Sequence, residues 1–502
     1  MSKHLINVQP GAKADFRNNA AFCVGTGRMG LALHKEYLDQ LALAQELAGF
    51  KHIRGHGLFC DDIAIYQPYT DENGVEQESY NFVYLDRVVD SYLQLNIKPF
   101  IELGFMPEKM ASGTQTIFYW KGNTTPPADH DKWARMVKAT LHHLADRYGE
   151  EEVSTWPCEV WNEPNLPGFW ENADKEKYLH LYEVSALAVK EVLPDMKVGG
   201  PAICGGSGSQ EWVQDFLTFC RDKKLPVDFV SRHAYMGQAT ERHGRYVYHE
   251  MRTVEDVHEE MMTTRGIIDS FPEYKGMPMH ITEFNTSYHP ICPIHDTNLN
   301  AAYIAGVLSC FGDAADSYSY WTFGDVFEEQ GAPARPFHGG FGMIANEQIL
   351  KPTMWTFAFF NNLKGECVHR DNRSVIMRRK DGSYEGIVWN LCREERKSLD
   401  MSISLPAQGE MTLATRTVDE SCCNPLKCWH DMGEPASLTK TQLQFLRQSA
   451  QPLCATEIVS AQDGNAQLNM TLGLNAVVHF TLSPRKMESE YGHNYQWYLE
   501  HA

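Results

Sequence analysis

Cys158-Glu159-Val160-Trp161-Asn162-Glu163-Pro164-Asn165 is the stretch from which the fold can be read. Its first three residues form a short strand-like run. Glu163 ends that run, bracketed by a tryptophan, two asparagines and a proline where an ordinary barrel would carry a plain loop. Pro164 restricts the backbone of the residue before it and so governs how the carboxylate is presented. Met277-Pro278-Met279-His280-Ile281-Thr282-Glu283 repeats the arrangement, with Asn285, Thr286 and Tyr288 just beyond. Two carboxylates at the carboxyl ends of separate parallel strands can meet across one pocket, the minimum machinery for cutting a glycosidic bond. One must carry a proton for the departing oxygen, and the other must stay ionised to attack or stabilise the anomeric carbon.

Working outward, residues 20 to about 325 repeat a rhythm of short apolar run, polar loop and helical segment. Eight runs read as strands: 22–24, 52–54, 99–103, 158–160, 197–199, 227–230, 277–281 and 318–321. Between them, residues 33–50 place Tyr37, Leu38, Leu41, Ala44 and Ala48 on one face at helical spacing, and residues 133–145 and 179–192 read the same way. That arithmetic gives an α/β fold, a (β/α)8 TIM barrel over residues 16–355. After Trp355 short alternating runs take over, at 374–377, 386–390, 401–404, 411–413 and 476–480, with the hairpin signal Asp381-Gly382 between the first two. These predict an accessory C-terminal β-sandwich of residues 356–502, joined by the tail 1–15 through a strand at 5–8. Residues 415–460 lack clear periodicity and read as a helical excursion or a long loop.

A chain of 502 residues is long enough for a large domain plus a smaller one. Its formal charge of -20 would repel phosphate backbones and anionic membranes, so neither nucleic acid nor a membrane is expected as a partner. The opening residues lack the apolar stretch of a secretory signal, and no apolar run is long enough to span a bilayer. Thirteen scattered cysteines fit reduced thiols in the cytoplasm better than a disulfide framework. Cys422, Cys423, Cys428 and His430 match no common zinc spacing, so no metal is expected there.

Gly25-Thr26-Gly27-Arg28-Met29-Gly30 matches the dinucleotide fingerprint. Its context is poor, because no acidic residue ends the next strand, which reads His52-Ile53-Arg54-Gly55-His56. The glycines read instead as a tight turn after the first barrel strand, and no cofactor is expected.

Further polar groups collect at the same barrel end: His56 after the second strand, His233 and Tyr235 after the sixth, and Trp321 at the end of the eighth. Asp325 and the pair Glu328-Glu329 follow in the next loop. Histidines there can donate to sugar hydroxyls, and an indole can floor a pyranose. Phe337-His338-Gly339-Gly340-Phe341-Gly342 reads as another rim loop.

These stretches resemble the family 39 glycoside hydrolases, the group of the bacterial β-xylosidases, from about residue 22 to 360. The resemblance is carried by Cys23-Val24-Gly25-Thr26-Gly27-Arg28, Arg54-Gly55-His56-Gly57, Trp161-Asn162-Glu163-Pro164-Asn165, Val198-Gly199-Gly200-Pro201-Ala202, Asp228-Phe229-Val230-Ser231-Arg232-His233 and Tyr320-Trp321-Thr322-Phe323. It implies Glu163 as acid/base, Glu283 as nucleophile and Asn162 as the contact to the sugar 2-hydroxyl. His56, His233, Tyr235, Trp321 and Glu328 would line the pocket of the terminal sugar, although Glu328 and Glu329 are hard to separate. Phe284 departs from the tryptophan or tyrosine usual after the nucleophile, and strand alternation points it away from the sugar. The resemblance further implies a retaining exo-β-1,4-xylosidase acting on xylo-oligosaccharides, no metal, and a homotetramer. The alternatives are an arabinopyranosidase or iduronidase-like enzyme of the same fold, or a non-catalytic carbohydrate-binding protein.

Overall fold

The computed structural model describes residues 2–393, 395–486, 488, 493–494 and 496–501; the other positions of the expected accessory region lie outside the described residues. Eight parallel strands close into a barrel: Cys23–Arg28, His52–His56, Lys98–Leu103, Cys158–Val160, Val198–Ile203, Phe229–Tyr235, Met279–Asn285 and Ser317–Tyr320. Each overlaps one of the eight runs read from the sequence. Helices Lys35–Ala48, Val83–Gln94, His130–Tyr148, Lys175–Val192, Ser209–Lys223, Val254–Ser270, Asn298–Cys310 and Pro352–Asn361 follow the strands in turn. Side chains that accept the unpaired amides of the first turn start several of them. Asp129, Asp174 and Thr297 do so, and Thr253 and Asp256 form a reciprocal capping box.

Asn298–Cys310 and Pro352–Asn361 are buried almost all round. Their outer sides are covered by the accessory sheet, where the Phe359 ring stacks on His479 at 5.3 Å. Such helices show no polar stripe, because no face of them meets water. Pro352–Asn361 therefore straddles the expected junction at residues 355–356.

The accessory region is two packed sheets. Ser2–Asn7 pairs in parallel with Leu399–Pro406, which pairs antiparallel with Asn465–Leu472. The six-stranded sheet runs Glu366–Asp371, Ser374–Arg378, Tyr384–Trp389, Val477–Pro484, Glu410–Val418, Leu453–Ser460. Alternate residues divide its faces: Ile376, Val388, Val478 and Phe480 join the core between the sheets, whereas Val375, Met377, Ile387, Trp389 and Val477 pack on the barrel side. Asp381-Gly382 turns the hairpin between two of these strands, with Gly382 at φ 82°.

Residues 415–460 hold helices Pro425–Asp431 and Lys440–Ser449 and the edge strand Leu453–Ser460. The Cys423 thiol faces the Ala450 carbonyl, and His430 is paired with Glu434. One feature escaped the sequence reading altogether: after the sixth barrel strand, Gly237–His243 and Tyr246–Met251 form an antiparallel hairpin beside the barrel mouth.

Candidate active site

A charged side chain that points into the closed interior of a barrel must be paired or neutralised. Arg54 is fully buried on the second strand and its guanidinium organises the site. Nε donates to Glu159 Oε2 at 2.7 Å, Nη1 to Glu283 Oε1 at 2.6 Å and Nη2 to Asn162 Oδ1 at 2.8 Å. Nη2 also lies 2.8 Å from Glu102 Oε2. Groups from three other strands and one loop thus converge on a single cation.

Glu283 lies inside the seventh strand rather than at its end, and a bulge explains how it faces inward. The seventh strand carries an extra residue against both neighbours: consecutive Arg232 and His233 pair with Ile281 and Glu283, leaving Thr282 unmatched, and Tyr318 and Tyr320 pair with Ile281 and Phe284. Thr282 Oγ1 donates inward to Glu159 Oε1 at 2.8 Å, and Glu283 also points inward, to Arg54. A bulge re-aims a side chain in this way next to functional sites. Alternation then resumes, and Phe284 packs outward among Phe311, Tyr318, Tyr320 and Phe357.

Glu163 is presented differently. Pro164 does not leave it extended, as the usual pre-proline preference predicts. Glu163 has φ 45° and Trp161 φ 71°, both in the left-handed region, which costs of order 1–2 kcal/mol per residue. The surrounding packing holds that backbone. Trp161 is buried, with ring centroids 5.3 Å from Phe105 and 5.0 Å from Trp170, its Nε1 donates to the Phe169 carbonyl at 2.8 Å, and the Glu163 amide donates to the Ala202 carbonyl at 2.9 Å.

The two carboxylates meet at His233. Its Nδ1 lies 2.8 Å from Glu163 Oε1 and 3.5 Å from Glu283 Oε2, and one oxygen of each carboxylate comes within 4.8 Å of the other. Tyr235 Oη donates to Glu283 Oε2 at 2.7 Å. A small cation could also bridge the trio Glu163, His233 and Glu283 by spacing alone, but Arg54 already supplies the positive charge on Glu283. Burial pushes the Glu163 carboxyl well above its usual range, and the Glu283 charge raises it further. Burial raises Glu283 as well, but Arg54, His56 and the Tyr235 hydroxyl all favour its ionised form. A single proton in the pair therefore sits on Glu163.

Both groups open into a cavity of about 900 Å³ that is also lined by His56, Phe118, Asn162, Tyr235, Trp321 and Phe341. The family model for glycosyl hydrolases family 39 matches residues 4–467. The chain belongs to that family. It is 50% identical to a β-xylosidase of Geobacillus stearothermophilus over 479 residues, 94% of each chain. It is 32% identical over 441 residues to a β-xylosidase of Caldicellulosiruptor saccharolyticus, covering 85% of this chain and 87% of that one. Among solved structures, a monomeric β-xylosidase from Caulobacter crescentus CB15 superposes with a TM-score of 0.86 at 31% identity, covering 96% of this chain and all of that one.

Within this family 39 glycoside hydrolase, the structure places His56, Asn162, His233, Tyr235 and Trp321 around the carboxylate pair, but not Glu328. Arg28 Nη2 donates to Glu328 Oε2 at 2.7 Å, outside the cavity. The neighbouring Glu329 lines the cavity instead, because successive side chains of an extended segment point to opposite sides. Its carboxyl is raised well above the usual range, first by burial and then by Glu283 and Glu163. Asp325 is also outside the cavity, buried against Lys351 at 2.6 Å. The first two glycines of the fingerprint lie within the first barrel strand, Cys23–Arg28, and not in a turn after it, and their cause is packing: a Cβ at Gly25 would lie 2.6 Å from the Trp321 ring. In the rim loop a Cβ at Gly342 would lie 2.4 Å from the Gly324 backbone, so glycine lets these segments pass.

Sequence reading missed Arg54, Glu102 and Glu159 as site residues. The signal was present: charged residues stand inside otherwise apolar strand runs, in His52-Ile53-Arg54-Gly55-His56, Phe100-Ile101-Glu102-Leu103 and Cys158-Glu159-Val160. Arg252, Glu260 and Gln210 line the outer part of the cavity, and Arg252 Nη1 donates to Glu260 Oε2 at 2.5 Å.

Proposed function

We propose that this family 39 enzyme is a retaining exo-β-1,4-xylosidase that releases xylose from the non-reducing ends of xylo-oligosaccharides. The observation that carries the reading is the approach of the two carboxylates to within 4.8 Å, one favouring its proton and the other its charge. Retaining enzymes hold their carboxyl groups about 5–5.5 Å apart, whereas inverting ones need roughly 6.5–9.5 Å to admit a water. Glu283 attacks the anomeric carbon of the terminal xylose while Glu163 protonates the leaving oxygen. Glu163, now ionised, then takes a proton from water, which displaces Glu283 and frees β-xylose. His56, Asn162, His233, Tyr235 and Glu329 are the polar contacts of the bound sugar in this reading, and Trp321 floors it.

The β-xylosidase names of the two relatives that align over most of this chain support xylose as the terminal sugar. A uronate-specific enzyme would need a free cation in the cavity. The guanidinium lining it, Arg252, is committed to Glu260, which disfavours an iduronidase. Assembly into a homo-oligomer, a tetramer by the resemblance, belongs to the same proposal; the Caulobacter relative is described as monomeric, so light scattering in solution decides between them. A cytoplasmic location is supported by thirteen free cysteines, and among the described residues no helix is long and apolar enough to cross a membrane.

Rates on aryl β-xyloside, α-L-arabinoside and β-glucoside, with NMR of the first-formed sugar, test the reading. Preference for the xyloside with β-xylose appearing first is expected. First-formed α-xylose, or no cleavage of any xyloside, would overturn it.

A further inference from the structure

The carboxylate mechanism uses Glu163 and Glu283 but leaves a third acid beside them unexplained. Glu102 is fully buried on the third strand. Its Oε2 lies 2.8 Å from His56 Nδ1 in hydrogen-bond geometry and 2.8 Å from Arg54 Nη2, whose N–H bonds go to Asn162, and its Oε1 has no hydrogen-bond partner. An ionised carboxylate with one dry, unpartnered oxygen is costly, whereas the carbonyl oxygen of a neutral acid is much less so. The other nitrogen of the ring, His56 Nε2, faces the cavity 3.5 Å from Glu283 Oε1. A lone pair on Nε2 would confront the nucleophile's own negative charge, so that nitrogen carries the proton. Nδ1 of a neutral ring is then an acceptor, and the atom 2.8 Å away must donate to it.

We infer that Glu102 is a positioning residue that stays protonated and donates its O–H to His56 Nδ1, fixing the tautomer in which Nε2–H faces Glu283 and the terminal sugar. The inference rests on the reading of Glu283 as the ionised nucleophile. The surrounding charges agree with it. Arg54 faces three carboxyl groups, Glu102, Glu159 and Glu283, and Glu163 and the Cys60 thiol also lie within reach of Glu102. Three ionised carboxylates around one guanidinium would leave buried negative charge uncompensated, which is costly in a dry interior. Burial lifts Glu102 to about 8 against the opposing pull of Arg54, and burial lowers His56 to about 3, so the ring is neutral beside a protonated acid.

Nitrogen-15 NMR of the imidazoles in the resting, full-length enzyme, with His56 assigned by its absence in His56→Asn, reads the tautomer without turnover. At pH 7 His56 is expected to carry its proton on Nε2, and to move it to Nδ1 as the pH rises through about 8. Glu102→Gln, whose amide can donate to Nδ1 at every pH, is expected to keep the Nε2–H form up to pH 9. It should also restore most of the kcat/KM lost in Glu102→Ala, a loss on the order of 10²-fold from a misplaced contact. A proton on Nδ1 at pH 7, or equal activity losses in Glu102→Gln and Glu102→Ala, would overturn the inference. Wild-type cleavage of xyloside with His56 in the Nδ1–H form would sink this inference alone. Failure to cleave xyloside would sink the proposed function whatever the tautomer.

Discussion

Arg54 Nη1 donates to Glu283 Oε1 at 2.6 Å, so the ionised member of the carboxylate pair is countered by a cation built into the barrel wall. Hydrogen bonds to a charged acceptor are roughly twice as strong as neutral ones. The consequence is a division of roles between two otherwise similar buried glutamates.

Tyr235→Phe removes one donor to Glu283 at unchanged shape. A hydrogen bond to a charged group is worth about 1.5–3 kcal/mol, so kcat/KM should fall roughly 10- to 100-fold. That bond favours the ionised form, so its loss should also move the acid limb of the pH–rate profile to higher pH. A stopped assay on aryl xyloside from pH 4 to 8 measures both.

Glu163→Gln should abolish protonation of poor leaving groups yet stabilise the fold. The folded-state carboxyl of Glu163 is raised by burial, so its contribution to stability is full below the unfolded value near 4.5 and is lost as pH rises towards the folded value. The amide has no proton to lose. Denaturant midpoints should therefore favour the variant at pH 7, with the advantage shrinking as pH falls towards 4.5 and levelling off below it.

Arg54→Met leaves Glu102, Glu159 and Glu283 buried around a neutral side chain. Breaking a buried ion pair from one side costs about 3–5 kcal/mol. Urea unfolding should show that loss, and activity should vanish with it. Arg54→Lys should recover part of the stability and little of the rate, because one ammonium cannot reproduce the planar fork.

Gly25→Ala tests the reading of the glycine fingerprint. Its methyl group would press on the Trp321 ring at 2.6 Å and the Tyr320 carbonyl at 2.8 Å. Overpacking of this kind costs about 1–3 kcal/mol, and a displaced sugar floor should lower kcat/KM on the order of 10²-fold. Calorimetry with a nicotinamide dinucleotide should show no binding to the wild-type protein.

The barrel was legible because each strand announces itself as a short apolar run before a polar loop, and Glu163 and Glu283 stood out by what surrounds them. Inside the barrel, charged residues within apolar runs marked Arg54, Glu102 and Glu159, but not which of them meet. The partners of Arg54 come from positions 102, 159, 162 and 283, and only the closed geometry brings them together. Glu328 and Glu329 differ by which side of an extended segment each takes, and the salt bridge from Arg28 that settles it crosses 300 positions. The Gly237–Met251 hairpin was missed because half its residues are polar and both faces of its first strand are exposed, so no alternation marks it. Helix Lys440–Ser449, by contrast, carries a readable start in Thr439 and Gln442, which form a capping box.

The most direct test of the carboxylate assignment is the anomeric configuration of xylosyl azide formed by Glu283→Ala in the presence of azide. With the nucleophile gone, azide enters the space on the α face and displaces the aglycone in one step, so turnover should return as α-xylosyl azide. The β anomer, or normal hydrolysis by this variant without azide, would contradict Glu283 as the group that attacks the sugar.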